Sequence, residues 1–410
     1  MNLRKCLGVL LAASSLAACL GGGGGASAQA GKPVPVINTM PLIVDSGPMA
    51  GGTAVNHAYV SVKVCAAGSA QCASIDHVLL DTGSWGLRLV RSVLTAKSVA
   101  LTPETDAKGL NIEECVKFRG GQTWGPVSLA DVTLAGELAS RVPVQVMDDT
   151  AAGAPPPMTC GANGTLLNDV AGFNANGLLG IGVFAQDCGL ACANAMTPLP
   201  IYYGCTAAGV CTAENVAIPL QVTNPVAMFA ADNNGIIVNL PHLQNANGDA
   251  SVQGELIFGI ATQADNALPA AGLTVLGADG NGDFTATYNG ATKVLPARID
   301  SGTEANKFDD KSIAVCTSAL WVGYYCPAAA PQSVFADVAG VGVNNGTGTV
   351  KFAIADPNSF AANATAFIDL AGGGGSANFT FGMPFFYGRK VYVGIDQRQA
   401  GAYTGPYYAY

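Results

Sequence analysis

The chain has 410 residues, only 11% of them charged, and a formal net charge of −9. That length allows a large core, and an acidic surface with just 19 Lys and Arg argues against nucleic acid as a partner. Helical periodicity is scarce, and short alternating or apolar runs broken by Gly, Asn and Pro predict an all-β fold.

The N-terminus reads as a targeting segment. Arg4 and Lys5 give a basic start, and the apolar run from Leu7 to Leu16 is too short to span a bilayer comfortably. Leu16-Ala17-Ala18-Cys19 resembles a bacterial lipobox, in which the peptide is cut before the Cys and the Cys is lipidated. The expectation is therefore a signal peptide over 1–18, a lipid on Cys19, and a flexible tether over 19–54 that begins with the Gly21 to Gly25 run. The competing reading is an ordinary signal peptide cut near Ala28 or Ala30. Leu20 after the Cys points, by analogy, to the outer membrane, on its periplasmic or surface face. Cleavage removes Arg4 and Lys5 and takes the net charge from −9 to −11. No other segment reads as transmembrane, so the anchor is the only membrane contact expected.

Beyond the tether, Tyr59 to Val64 alternates like a half-buried strand. Val78-Leu79-Leu80 then runs into Asp81-Thr82-Gly83-Ser84, and Trp85 to Val90 continues as a strand. Cys115 to Pro126 reads as a hairpin with a Gly120-Gly121 tip, returning through Val127 to Leu134. Gly177-Leu178-Leu179-Gly180-Ile181-Gly182 is an apolar-Gly strand; its spacing is not that of a nucleotide-binding loop. Gln253 to Gly259 is another strand, and Asp279-Gly280-Asn281-Gly282-Asp283 reads as a hairpin turn, because Phe284 and Gly290 stand where a calcium loop needs Gly and Glu. Ala297-Arg298-Ile299 runs into Asp300-Ser301-Gly302-Thr303, repeating the earlier pattern. Asp309 to Leu320 reads as a short helix capped by Asp309 or Asp310. Phe379-Thr380-Phe381-Gly382 supplies a second apolar-Gly strand.

Of the 12 cysteines, Cys6 and Cys19 fall in the leader, and an even ten remain in an exported chain, which favours disulfides. Cys65 with Cys72 and Cys316 with Cys326 each bracket a short loop, and Cys115 pairs with Cys160 by default. Cys188, Cys192, Cys205 and Cys211 leave three pairings open. They lack the paired Cys-x-x-Cys spacing of a zinc site, and no metal is expected.

The two Asp-hydroxyl-Gly-hydroxyl stretches, each with its apolar-Gly follower, resemble the pepsin-like aspartic peptidases. The likeness spans roughly 55–400 in motif order. It implies a two-lobed acid-protease fold with quasi-twofold symmetry and a cleft between lobes, an N-terminal lobe over 55–250 and a C-terminal lobe over 251–410. It implies that Asp81 and Asp300 share one proton and activate a water. Ser84 and Thr303 would hydrogen-bond the carboxylates, Thr82 and Ser301 would tie the two loops, and Gly83 and Gly302 would complete the turns. The hairpin over 115–134 resembles the family's flap. Phe118 falls where that flap usually bears a Tyr, and Trp124 offers an N–H donor from the other arm. Arg88 stands where the family usually has a Trp. No Lys-rich activation segment is present, since Lys32 is the one basic residue over 20–54.

The function expected is an aspartic endopeptidase, monomeric and cofactor-free, acting on a peptide or protein. The alternative is a non-catalytic pepsin-fold lipoprotein of the cell envelope that binds a peptide, glycan or inhibitor. Other hydrolytic chemistries find no support: there are three histidines (His57, His77, His242), no His-Glu-x-x-His and no Gly-x-Ser-x-Gly.

Overall fold

The computed structural model describes residues 37–160, 164–269, 271–375 and 377–410. Cys19, the signal peptide and most of the tether lie outside them. Among the described residues no helix is long and apolar enough to cross a membrane.

Strands organise the molecule, and the two halves repeat one scheme. In the first half the Asp81 strand (Cys72–Asp81) pairs parallel with Gly177–Ile181, setting Asp81 opposite Gly180. Trp85–Val90, leaving the Asp loop, pairs antiparallel with the same Gly177–Ile181 strand. That strand therefore lies between the two arms of the loop, and space dictates the glycine. A Cβ on Gly180 would sit 2.7 Å from the Trp85 nitrogen. In the second half Leu295–Ile299 pairs parallel with Phe379–Phe381, and Asn306–Phe308 pairs antiparallel with it. A Cβ on Gly382 would sit 2.2 Å from the Ala305 carbonyl oxygen.

A shared sheet joins the halves. Thr39–Val44 pairs with Val252–Phe258, which pairs with Gly235–Leu240, and that strand pairs with Arg389–Gly394. Thr39–Val44 also pairs with Ala58–Ala66, so the N-terminal sheet continues into this platform. The expected tether consequently ends before Thr39. Met40, Leu42 and Val44 are buried, and their burial fixes a strand where flexibility was expected. A seven-stranded sheet forms the remainder of the C-terminal half. One apolar cluster runs through both halves, from Val78, Leu80 and Ile181 to Phe284, Ile299 and Phe381.

All ten expected cysteines are bonded: Cys65–Cys72, Cys115–Cys160, Cys188–Cys192, Cys205–Cys211 and Cys316–Cys326. The last of these corrects the helix expected over 309–320. The disulfide and a bridge between Val315 and Tyr325 fold that segment back on itself, leaving an Asx turn at Asp310 and a single 3-10 turn at Ala319–Trp321. Asp279 closes its turn by accepting the Asn281 and Asp283 N–H groups.

Candidate active site

The Asp81 and Asp300 loops meet at the junction of the two halves. In each, the apolar strand ends at the aspartate and the glycine two residues on turns its N–H back onto the carboxylate. Gly83 N–H donates to Asp81 Oδ1 at 2.8 Å, and Gly302 N–H to Asp300 Oδ1 at 2.8 Å. The hydroxyl three residues on takes the other oxygen: Ser84 to Asp81 Oδ2 at 2.5 Å, Thr303 to Asp300 Oδ2 at 2.7 Å.

The middle hydroxyls lock the loops together. Ser301 N–H donates to Thr82 Oγ1 at 3.0 Å, and Thr82 N–H donates to Ser301 Oγ at 3.1 Å. Each hydroxyl then donates across the junction to a strand carbonyl, Thr82 to Ile299 at 2.9 Å and Ser301 to Leu80 at 2.8 Å. Both side chains are fully buried, so these four bonds are shielded from competing water.

The same lock brings the carboxyls face to face. A Cβ on Gly83 would lie 2.5 Å from Asp300 Cγ, and a Cβ on Gly302 would lie 2.7 Å from Asp81 Cγ. Each glycine is thus the floor on which the opposite carboxylate rests. Asp81 is 5% exposed, whereas Asp300 keeps partial access to solvent. Burial, and then the charge of Asp81 beside it, push the Asp300 pKa up to about 8, against the pull of the Thr303 and Gly302 hydrogen bonds.

The flap candidates fall elsewhere. Asn111–Phe118 and Gly121–Leu134 form the expected hairpin, with Phe118 opposite Gly121. Trp124, however, is 1% exposed, and its Nε1–H donates to the Ala154 carbonyl at 2.6 Å. It packs on Tyr203 beside the Cys115–Cys160 disulfide and serves the core, because both faces of its strand are covered there. Phe118 packs edge-on against Phe173. At the hairpin tip Arg119 instead reaches the C-terminal half, donating to the Gly373 carbonyl at 2.6 Å.

Arg88 proves to be the centre of a buried charge network. Its Nη1 donates to the Trp85 carbonyl at 2.8 Å, and its Nη2 to Glu114 at 2.8 Å and Asp187 at 3.2 Å. Tyr202 O–H donates to Asp187 at 2.6 Å. Burial raises the Glu114 pKa well above the usual carboxylate range, and Arg88 opposes that rise. The network ties the segment after Ser84 to the hairpin stem and to the loop carrying Cys188. Its members were invisible as a set, because 26 and 99 residues separate Arg88 from its two acids.

Two hollows lie next to the two loops, each lined by a residue that neighbours one motif in the chain. One, of about 1000 Å³, is lined by Trp85, Phe184, Leu190, Ile218 and Arg298 among others. The other, of about 790 Å³, is lined by residues including His57, Glu304, Trp321 and Tyr324. Trp85 and Glu304 each stand four residues after their aspartate, so the quasi-twofold places one in the lining of each hollow. Each hollow takes its lining from both halves of the chain.

The family model described as "Protein of unknown function (DUF3443)" matches residues 35–410. No curated protein matches the chain. Among solved structures, the chain is similar to the aspartic proteinase from Irpex lacteus, with 14% identity over 90% of this chain and 96% of that one, and a TM-score of 0.51. At that identity the likeness establishes a shared pepsin-like fold.

Proposed function

We propose that this chain, which belongs to the family described as Protein of unknown function (DUF3443), is an aspartic endopeptidase. The observation that carries the reading is the mutual seating of Asp81 and Asp300, each carboxyl against the glycine of the other loop. In this reading Asp300 holds the shared proton, since burial and Asp81 raise its pKa to about 8. Asp81 takes a proton from a water held between the carboxyls, and the resulting hydroxide adds to the scissile carbonyl carbon. Asp300 gives its proton to the carbonyl oxygen. The tetrahedral diol then collapses as Asp81 returns a proton to the amide nitrogen, the C–N bond breaks, and one diol hydroxyl gives its proton back to Asp300, leaving a carboxylic acid and an amine.

The chain would act as a monomer on exported polypeptide, tethered by a lipid on Cys19. Five disulfides suit an oxidising compartment. Mass spectrometry of the mature N-terminus tests the anchor, and an unmodified start near Gln29 removes it from the reading.

A second reading, a binding protein on the same fold, draws on Arg119, which holds the hairpin tip on the C-terminal half. The two readings separate on one assay: cleavage of an unfolded protein across about pH 3 to 6, with and without pepstatin. Pepstatin-sensitive cleavage that disappears in Asp81→Asn supports the peptidase. A wild type that cleaves nothing, matched by its Asn variant, supports the binder.

A further inference from the structure

The hollow beside Asp300 is walled by aromatic rings. Trp321 meets Phe360 edge-on at 5.9 Å and Tyr324 at 5.4 Å, and Phe360 stacks on Phe367 at 4.2 Å. Against these apolar walls, Glu304 and His57 are the acidic or basic lining residues among the described residues. Burial lowers the pKa of His57 and favours its neutral form.

The Glu304 carboxylate is held from behind. Its Oε1 accepts from Lys307 Nζ at 2.8 Å and from Tyr324 O–H at 2.9 Å. Lys307 is 6% exposed, sits 4.2 Å from the Tyr324 ring centroid, and does not line the hollow. The Glu304 side chain keeps 29% exposure, and a backbone N–H, its own, also bonds the carboxylate. The hollow therefore meets a part-exposed carboxylate framed by ring faces.

We propose that Glu304 selects a cationic side chain, Arg or Lys, at the substrate position that enters this hollow. The inference rests on the peptide-groove reading above and names what that groove prefers. A guanidinium or ammonium would bond the exposed side of this carboxylate and lie against Trp321 and Tyr324, gaining a charge-assisted hydrogen bond and ring contact together. An acidic side chain would meet the same carboxylate and be repelled. An aliphatic one would desolvate the exposed carboxylate without giving it a partner.

Glu304 keeps its charge in acid. Burial would raise its pKa, but Lys307 and the hydrogen bonds outweigh it and hold the value at about 2. The other charge that touches this wall is Arg119 at the hairpin tip, which acts on Tyr324 and bonds Gly373.

The test uses direct binding, so that it does not depend on turnover. Fluorescence anisotropy would follow short apolar peptides bound to the Asp81→Asn protein, with Arg, Lys, citrulline or norleucine placed at each position in turn. At one position Arg or Lys should bind about tenfold tighter than citrulline or norleucine. Adding Glu304→Gln should erase that ratio. No charge preference at any position, or a preference that survives Glu304→Gln, overturns the inference. If Glu304→Gln does not fold, the citrulline comparison on its parent decides alone. Charge-selective binding with no cleavage by wild type sinks the peptidase reading only. Cleavage without charge preference sinks this inference only, and a groove that binds no peptide sinks both.

Discussion

Replacing Asp300 by Asn should make the protein more stable at neutral pH and no more stable in acid. The Asp300 pKa moves from 3.8 to about 8 on folding. Below about pH 4 the folded and unfolded states both hold the proton, so the group contributes no difference. As pH rises from there, the unfolded chain releases its proton while the folded chain must retain it, and stability is lost until the folded group titrates. About four units at 1.36 kcal/mol each set a ceiling near 6 kcal/mol. Asp300 keeps some solvent access, and screening brings the observable part to about 2–3 kcal/mol. Asn fills the same space with no proton to defend, and its amide keeps an oxygen for the Gly302 N–H. Calorimetry of both proteins from pH 3 to pH 8.5 should give a Tm difference near zero in acid that grows to roughly 3–8 °C at the neutral end. A difference that is flat with pH, or that shrinks as pH rises, refutes the view that Asp300 is held protonated by burial and by Asp81.

Two further outcomes follow from the buried chemistry. Arg88→Met leaves Glu114 and Asp187 without their cation and should cost about 3–5 kcal/mol in urea denaturation at pH 7; adding Glu114→Gln should recover part of it, and no recovery would count against the network. Removing Cys115–Cys160, which closes a 45-residue span, should cost about 4 kcal/mol, against about 2 for Cys188–Cys192 with its 4-residue span; equal losses in paired Cys→Ser variants would argue against a loop-entropy origin.

What the sequence disclosed was what local chemistry dictates. An apolar strand ending in Asp-Thr-Gly-Ser specifies its own turn, because the glycine N–H and the last hydroxyl find the carboxylate within three residues. Gly180 and Gly382 were readable for a steric reason, since nothing larger fits beneath the loops. What stayed hidden depends on partners far along the chain. Thr39–Val44 buries every second residue, yet Ile43 blurs that alternation in the sequence and the strand's main partner lies more than 200 residues away, so the stretch reads as tether. Trp124 looked like a free hairpin arm because the sequence does not reveal that Tyr203 and a disulfide cover that face. Over 309–320, helix propensity lost to a covalent bond between Cys316 and Cys326.

The quasi-twofold also explains why the two flanks differ. Sharing one proton requires two nearly equivalent carboxyls, so symmetry serves the chemistry, and the eight bonds around Asp81, Asp300, Thr82 and Ser301 keep it. A peptide, however, has a direction. A groove with true twofold symmetry would accept it in either sense with the same free energy, and the scissile bond would face the proton donor in only one of them. Direction can come only from groups that break the symmetry, since specificity is a difference of affinities. The first such position outward from each motif is the fourth residue after the aspartate, and there the chain places Trp85 on one side and Glu304 on the other. The indole packs on Phe184 at 5.0 Å, and the carboxylate is held by Lys307. An apolar group and an anion at equivalent places give the two ends of an extended chain different partners. In this reading the departure from symmetry begins at the first position that the proton-sharing pair does not constrain.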